Sequence, residues 1–222
     1  MAKIDFGQGG MPVPIPRSAS GIAARGAAST AYDRRPPLRA LLTESAVIPA
    51  IRDPATIDRA VAAHGRIIYL LCCNPENLDE LTLRIEEAGK IAIVNVDLMG
   101  GFSRDRYALR YLAAHGVSGV ISTHAETLRQ AQSIGLYVVQ RTFLLDSAAM
   151  AHITSQLKTS TVDALEVLPA VAVPKLVAPV KAIAPEIPLV GGGLIANMAE
   201  IAGLLDQGIA AISTSDTQLW VP

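Results

Sequence analysis

A chain of 222 residues, half of them apolar and with a mean hydropathy of +0.36, is long enough to bury one sizeable core in a single domain. Aromatic residues make up only 4% and the net charge is −1, which argues against a general nucleic-acid binder built from stacked rings and a basic surface. The charge is unevenly spread, because residues 1–40 hold six Lys or Arg against two acids and the remainder is acidic.

Residues 1–40 mix Gly, Ala, Ser, Pro and Arg without sustained periodicity and close on Pro36-Pro37, a composition that predicts a flexible basic tail. Its charge suits a solvated leader or a contact with RNA. It lacks the charged-then-apolar layout of a signal peptide, and no apolar run is long enough to span a membrane. A cytoplasmic protein with no membrane partner is expected.

From Leu41 onward the pattern is regular. Apolar runs suited to strands buried on both faces fall at Val47–Ile51, Arg66–Cys72, Ile91–Leu98, Gly119–Thr123, Tyr137–Arg141, Ala164–Leu168, Pro188–Gly192 and Gly208–Thr214. Helix-compatible segments lie between them. Some open on N-cap signals, as at Asn74-Pro75-Glu76 and Ser103-Arg104-Asp105, and several close on glycine, as at Gly89, Gly116, Gly135 and Gly208. Strands alternating with helices imply a parallel sheet. Eight such units in residues 41–222 predict an α/β fold, a TIM-like (β/α)8 barrel forming a single domain behind the flexible tail. No GxGxxG follows the first strand, which weighs against a dinucleotide fold.

Cys72 and Cys73 are adjacent on a strand, so their side chains point to opposite faces and read as inert thiols in a reducing compartment. His64, His115, His124 and His152 are scattered without metal-ligand spacing, so no metal is expected. Neither a nucleophile elbow nor a P-loop occurs, and no lysine sits in a strand at the expected mouth for Schiff-base chemistry. No catalytic residue and no cofactor are assigned.

The last two strand–loop units carry the clearest chemical signal. The glycines of Gly191-Gly192-Gly193 let backbone N–H groups approach an anion, and Thr214 and Ser215 add hydroxyl donors. Late loops of such a barrel commonly hold phosphate, so Gly192, Gly193, Thr214 and Ser215 are the expected phosphate-binding residues. Polar residues near other strand ends are Arg52, Asp53, Asn95, Asp97, Ser122, Thr123, His124, Arg141, Asp146 and Glu166. Asp97 is placed to accept from ligand hydroxyls. Arg141 and Glu166 either pair across strands five and six or touch ligand, and Arg52 either reaches an anion or pairs with a mouth acid. His124 opens the following helix, where a cap or surface role is the commoner outcome.

Together these segments resemble the glycerol-3-phosphate-responsive antiterminator family, regulators of bacterial glycerol uptake operons. The matching stretches run in order from Glu44-Ser45-Ala46-Val47-Ile48-Pro49-Ala50-Ile51-Arg52-Asp53 through Val96-Asp97-Leu98-Met99-Gly100-Gly101 and Val120-Ile121-Ser122-Thr123. They continue through Gln140-Arg141-Thr142-Phe143-Leu144-Leu145-Asp146-Ser147, Glu166-Val167-Leu168-Pro169, Gly191-Gly192-Gly193-Leu194-Ile195 and Ser213-Thr214-Ser215 to Leu219-Trp220. The resemblance implies a barrel that senses glycerol 3-phosphate and, when liganded, binds leader mRNA so that transcription passes a terminator. It places phosphate on Gly192, Gly193, Thr214 and Ser215, and the glycerol moiety beside Asp97, Arg141 and Glu166, with Arg52 assisting either end. Two positions depart from the pattern: Asn95 stands where many members have histidine, and Ala170 stands where glycine is expected.

Against this stand two alternatives. One is a barrel enzyme acting on a small phosphorylated metabolite with Asp97 or Glu166 as general base. The other is a phosphometabolite sensor that works through a protein partner. Arg104, Arg106 and Arg110 make either a basic patch or a solvated helix face. The helical outer faces of a barrel also offer surfaces for forming a homo-oligomer.

Overall fold

The computed structural model describes residues 35–221. Eight parallel strands close into a barrel in sequential order: β1 (Val47–Ile51), β2 (Ile67–Leu70), β3 (Ile91–Asn95), β4 (Val117–Ser122), β5 (Tyr137–Phe143), β6 (Ala164–Leu168), β7 (Leu189–Gly192) and β8 (Ala211–Thr214). The expected strands two and three are shorter at their C-terminal ends, because Cys72 and Asp97 lie in the turns that follow. Strand eight begins later than expected, at Ala211, because the chain leaves the preceding helix through Gly208 at φ +92°.

Helix α1 (Leu38–Thr43) precedes β1. The helices α2 (Ile57–Ala62), α3 (Leu78–Glu87), α4 (Arg106–Ala114), α5 (Ala125–Ser133), α6 (Ser147–Leu157), α7 (Pro174–Ile183) and α8 (Met198–Leu205) follow β1 to β7 in turn. Among the described residues, β8 is followed by a short 3-10 turn, Thr217–Leu219, and no α-helix. Local chemistry sets several of the helix starts. Asp105 caps α4 by accepting from the N–H groups of Tyr107 and Ala108, Asp146 caps α6 through Ala149, and Asn197 caps α8 through Glu200.

Every strand faces apolar groups on both sides, and the two cores separate cleanly. Outward residues such as Ile68, Leu70, Val94, Val120, Val138 and Leu165 pack under the helices. Inward residues form the second core. The register advances by one residue per strand as the barrel closes, so alternate strands contribute side chains at one height. From the bottom these layers are Ile67, Gly119, Ala164 and Ala211, then Ile48, Ile93, Val139 and Val190. Above lie Tyr69, Ile121, Glu166 and Ser213, and the top layer is Ala50, Asn95, Arg141 and Gly192. Gly119 is small for a reason: a Cβ there would stand 2.7 Å from the Cβ of Tyr137.

Residues 1–34, most of the expected tail, lie outside the described residues. The described end of the expected tail, residues 35–40, packs on the barrel, because Leu38 opens α1 and is buried with Leu41 and Leu42 against the lowest inward side chains. Helix α1 therefore closes the N-terminal end of the barrel. Arg35 stacks its guanidinium 3.6 Å from the Tyr137 ring centroid and anchors the entry to that helix. With the bottom sealed, the C-terminal mouth is the end left for a ligand.

Candidate functional site

The mouth is built from the top two layers and the loops above them. In the lower one Glu166 is fully buried and both carboxylate oxygens are used: Oε2 accepts from Arg141 Nε at 2.6 Å and Oε1 from Ser213 Oγ at 2.6 Å. Arg141 and Glu166 are register partners on β5 and β6, so the sheet itself holds the pair together. The Arg141 side chain is 12% exposed and that of Glu166 only 1%, so a charge pair crosses the floor of the mouth with one edge facing outward. Pairing is what makes a buried carboxylate tolerable in such a place. The strand pairing weighed from sequence is therefore present, and the exposed edge of Arg141 leaves room for ligand contact as well.

Asp97 lies just beyond β3, in the inward phase set by Ile93 and Asn95. One carboxylate oxygen accepts from the Thr123 N–H at 2.7 Å and the Thr123 hydroxyl at 2.9 Å, and the other accepts from Ser122 Oγ at 2.7 Å. Arg104 Nη1 approaches to 3.4 Å and His124 Nδ1 to 3.3 Å. Burial pushes this carboxyl upward, but the Thr123 and Ser122 hydrogen bonds, helped by His124, outweigh it and hold the group below the usual carboxylate range. Asp97 is thus an anion that ties the β3 loop to the β4 loop, with its acceptor capacity largely taken up by protein donors. Asn95 beside it is buried and accepts from the Asp97 N–H at 3.0 Å, which fixes its carbonyl.

The glycine loop and the Ser-Thr-Ser loop stand side by side, because β7 and β8 pair from Val190↔Ala211 through Gly192↔Ser213. Gly192 is buried in the top layer. A Cβ there would come within 2.8 Å of Ser213 Oγ and 3.3 Å of Glu166 Oε1, so only glycine fits over that network. Gly193 and Leu194 both take positive φ, +74° and +57°. For Leu194 that conformation is strained, and its side chain is 80% exposed. Thr214 ends β8 buried, with its hydroxyl accepting from the Asp216 N–H at 3.1 Å and its carbonyl accepting from Trp220 Nε1 at 2.9 Å. Ser215 follows it, exposed and in the inward phase of β8.

Arg52 also continues an inward phase, two residues beyond Ala50, and is exposed with no hydrogen bond or ion pair to any described residue. Asp53 and Asp146 turn out to be caps, accepting from Ala55 and Ala149. His124 occupies the N-cap position of α5 without a side-chain cap bond. Ala170, at the departure noted above, is buried against Gly191, whose hypothetical Cβ would meet the Ala170 Cβ at 3.1 Å. No group of three or more His, Cys, Asp or Glu side chains among the described residues is placed to hold a metal.

Two members of the mouth went unassigned in the sequence. Ser213 lay in a recognised segment, but only the β6–β7–β8 register puts its hydroxyl on Glu166. Tyr69 had a faint signal, as the one polar-tipped residue of the Ile67-Ile68-Tyr69-Leu70 run. It is fully buried in the Glu166 layer, and its hydroxyl has no hydrogen-bond partner among the described residues. Burial, then the Glu166 charge, push its ionisation well above the usual phenol value against the opposing pull of Arg141, so it remains a neutral donor.

Comparison with known proteins agrees with this fold. An Escherichia coli protein described as uncharacterized protein YgcP is 31% identical over 185 residues, covering 83% of this chain and 96% of its own. Among solved structures, a glycerol uptake operon antiterminator-related protein from Thermotoga maritima is 27% identical with a TM-score of 0.70, covering 80% of this chain and 98% of its own. A glycerol uptake operon antiterminator regulatory protein from Listeria monocytogenes shares the fold at 24% identity and a TM-score of 0.71, over 79% of this chain and 94% of its own. More distant barrels include orotidine 5'-phosphate decarboxylase from Pyrococcus horikoshii, at 13% identity and a TM-score of 0.56. The model of the glycerol-3-phosphate responsive antiterminator family matches residues 47–220, from the first strand to the closing tryptophan, and the chain belongs to that family.

Proposed function

We propose that this protein senses glycerol 3-phosphate at the barrel mouth and, when liganded, binds leader mRNA of glycerol-utilisation genes so that transcription passes a terminator. The observation that carries the reading is the meeting of two anion-suited loops, Gly192-Gly193 and Thr214-Ser215, beside the Arg141–Glu166 pair in a chain of this family. Phosphate sits on the loop N–H groups and the Thr214 and Ser215 hydroxyls. The glycerol end lies toward Arg141, Glu166 and Asp97, and the exposed guanidinium of Arg52 faces the anion. The protein acts in the cytoplasm, where nascent leader mRNA is found.

A binding role without turnover fits how the two carboxylates are used. Glu166 and Asp97, the general-base candidates of the enzyme alternative, have their oxygens engaged by protein donors, which leaves neither poised to take a proton from a ligand. The basic footprint that RNA requires is offered by Arg104, Arg106 and Arg110, exposed around α4 with the Tyr107 ring among them.

Calorimetric titration tests the ligand. Glycerol 3-phosphate should bind at least about tenfold tighter than glycerol or inorganic phosphate, and the double variant Thr214→Ala/Ser215→Ala should lose that advantage. Absence of binding, or conversion of glycerol 3-phosphate to product, would refute the proposal. Adding the ligand should tighten binding of an operon leader transcript, and Arg106→Ala/Arg110→Ala should weaken that binding and flatten its salt dependence.

A further inference from the structure

Tyr69 is hard to account for as core packing alone. Phenylalanine would fill the same space, whereas the phenol brings a hydroxyl into the barrel interior with no partner among the described residues, an arrangement that costs stability. The other polar members of its layer are satisfied, Glu166 twice over and Ser213 by Glu166. Tyr69 stands on β2, opposite β6 in the eight-stranded ring, so its ring crosses toward the axis at the height of the Glu166 carboxylate. Directly above it in register is Ala50, and the layer of Ala50 contains Gly192, so two of the four side chains over this floor are the smallest available. The two larger ones, Asn95 and Arg141, are both polar. A spare donor beneath a roof of two small and two polar side chains is the floor of a polar subsite.

We propose that Tyr69 is a specificity-determining residue of the mouth, whose hydroxyl hydrogen-bonds a ligand hydroxyl on the carbon chain, at the end remote from the phosphate. This rests on the phosphate-loop reading given above and adds to it the group that tells a polyol phosphate from a plain alkyl phosphate. Discrimination of this kind is strong when a buried protein group is left unpaired by the wrong ligand.

The test is Tyr69→Phe, read by thermal unfolding without ligand and by calorimetry with glycerol 3-phosphate and n-propyl phosphate. The ligand-free variant should melt about 2–4 °C higher, as expected from relieving one buried unpaired group in a chain of this size. Its Kd for glycerol 3-phosphate should rise about five- to tenfold, the worth of one hydrogen bond, while that for n-propyl phosphate stays unchanged. A lower melting temperature with unaltered ligand affinity would assign the hydroxyl to a structural role and overturn the proposal. Equal losses for both ligands would overturn it too. Should the wild-type protein bind neither phosphate ester, the phosphate-loop reading falls first and the Tyr69 proposal with it.

Discussion

Breaking the Arg141–Glu166 pair from its two ends should give unequal results, and the inequality follows from where each group sits. Arg141→Met removes the partner of a carboxylate whose side chain is 1% exposed, leaving only Ser213 to donate to it. Stranding a buried charge in this way costs about 3–5 kcal/mol. Glu166→Gln behaves otherwise. It keeps the volume and an acceptor for Ser213, and it frees an arginine whose 12% exposed edge can reach water. Its cost should be about 1–3 kcal/mol. Urea unfolding of both variants at pH 7 measures this directly. Equal costs, or a larger cost for Glu166→Gln than for Arg141→Met, would refute the reasoning.

Asp97→Asn should cost about 1–2 kcal/mol at pH 7, because the charge-assisted bonds from Thr123 and Ser122 are lost. The folded Asp97 carboxyl titrates below its unfolded value, so its contribution is complete above about pH 4 and fades as pH falls further. Variant and wild-type stabilities should thus converge in acid, as denaturation between pH 3 and 7 will record. Gly192→Ala should abolish binding at the mouth, since its Cβ lands 2.8 Å from Ser213 Oγ, whereas Gly193→Ala should cost only the strain of a positive φ, about 1–2 kcal/mol, seen as a lower midpoint in urea. Leu38→Ala should destabilise by about 2–5 kcal/mol in the same assay, because a leucine buried in the barrel's closing helix leaves a cavity. Cys73, whose thiol burial pushes up to about 12, should react with a thiol reagent only on unfolding, while half-buried Cys72 reacts first, as mass spectrometry of timed labelling will show.

The order of strands and helices was legible along the chain because each unit repeats the same local physics. A doubly buried strand needs an unbroken apolar run, a helix start needs a capping oxygen, and a helix end needs glycine. Those rules act within a few residues, so Val47–Ile51 and Ala164–Leu168 were found to the residue. The placement of Gly191-Gly192-Gly193 and Thr214-Ser215 at neighbouring strand ends was legible for the same reason. Helix α1 was missed: its six residues are dominated by the burial of Leu38, Leu41 and Leu42, and only the open end of a closed barrel gives those side chains somewhere to go.

What joins residues far apart in the chain was decided by the barrel. Sequence placed Arg141 and Glu166 near strand ends, and could leave them either as a pair or as ligand contacts. The β5–β6 register makes them neighbours, and the β6–β7–β8 register brings Ser213 to the other carboxylate oxygen. Asp97 was placed near a strand end by sequence, and the fold sets Ser122 and Thr123 against it. Tyr69 acquires its meaning only from height, because the one-residue stagger per strand lifts it into the layer of Glu166. A strand's alternation determines which face a side chain takes, and that is written locally. Which residues share a layer depends on closure of the whole ring, a constraint that no single segment carries.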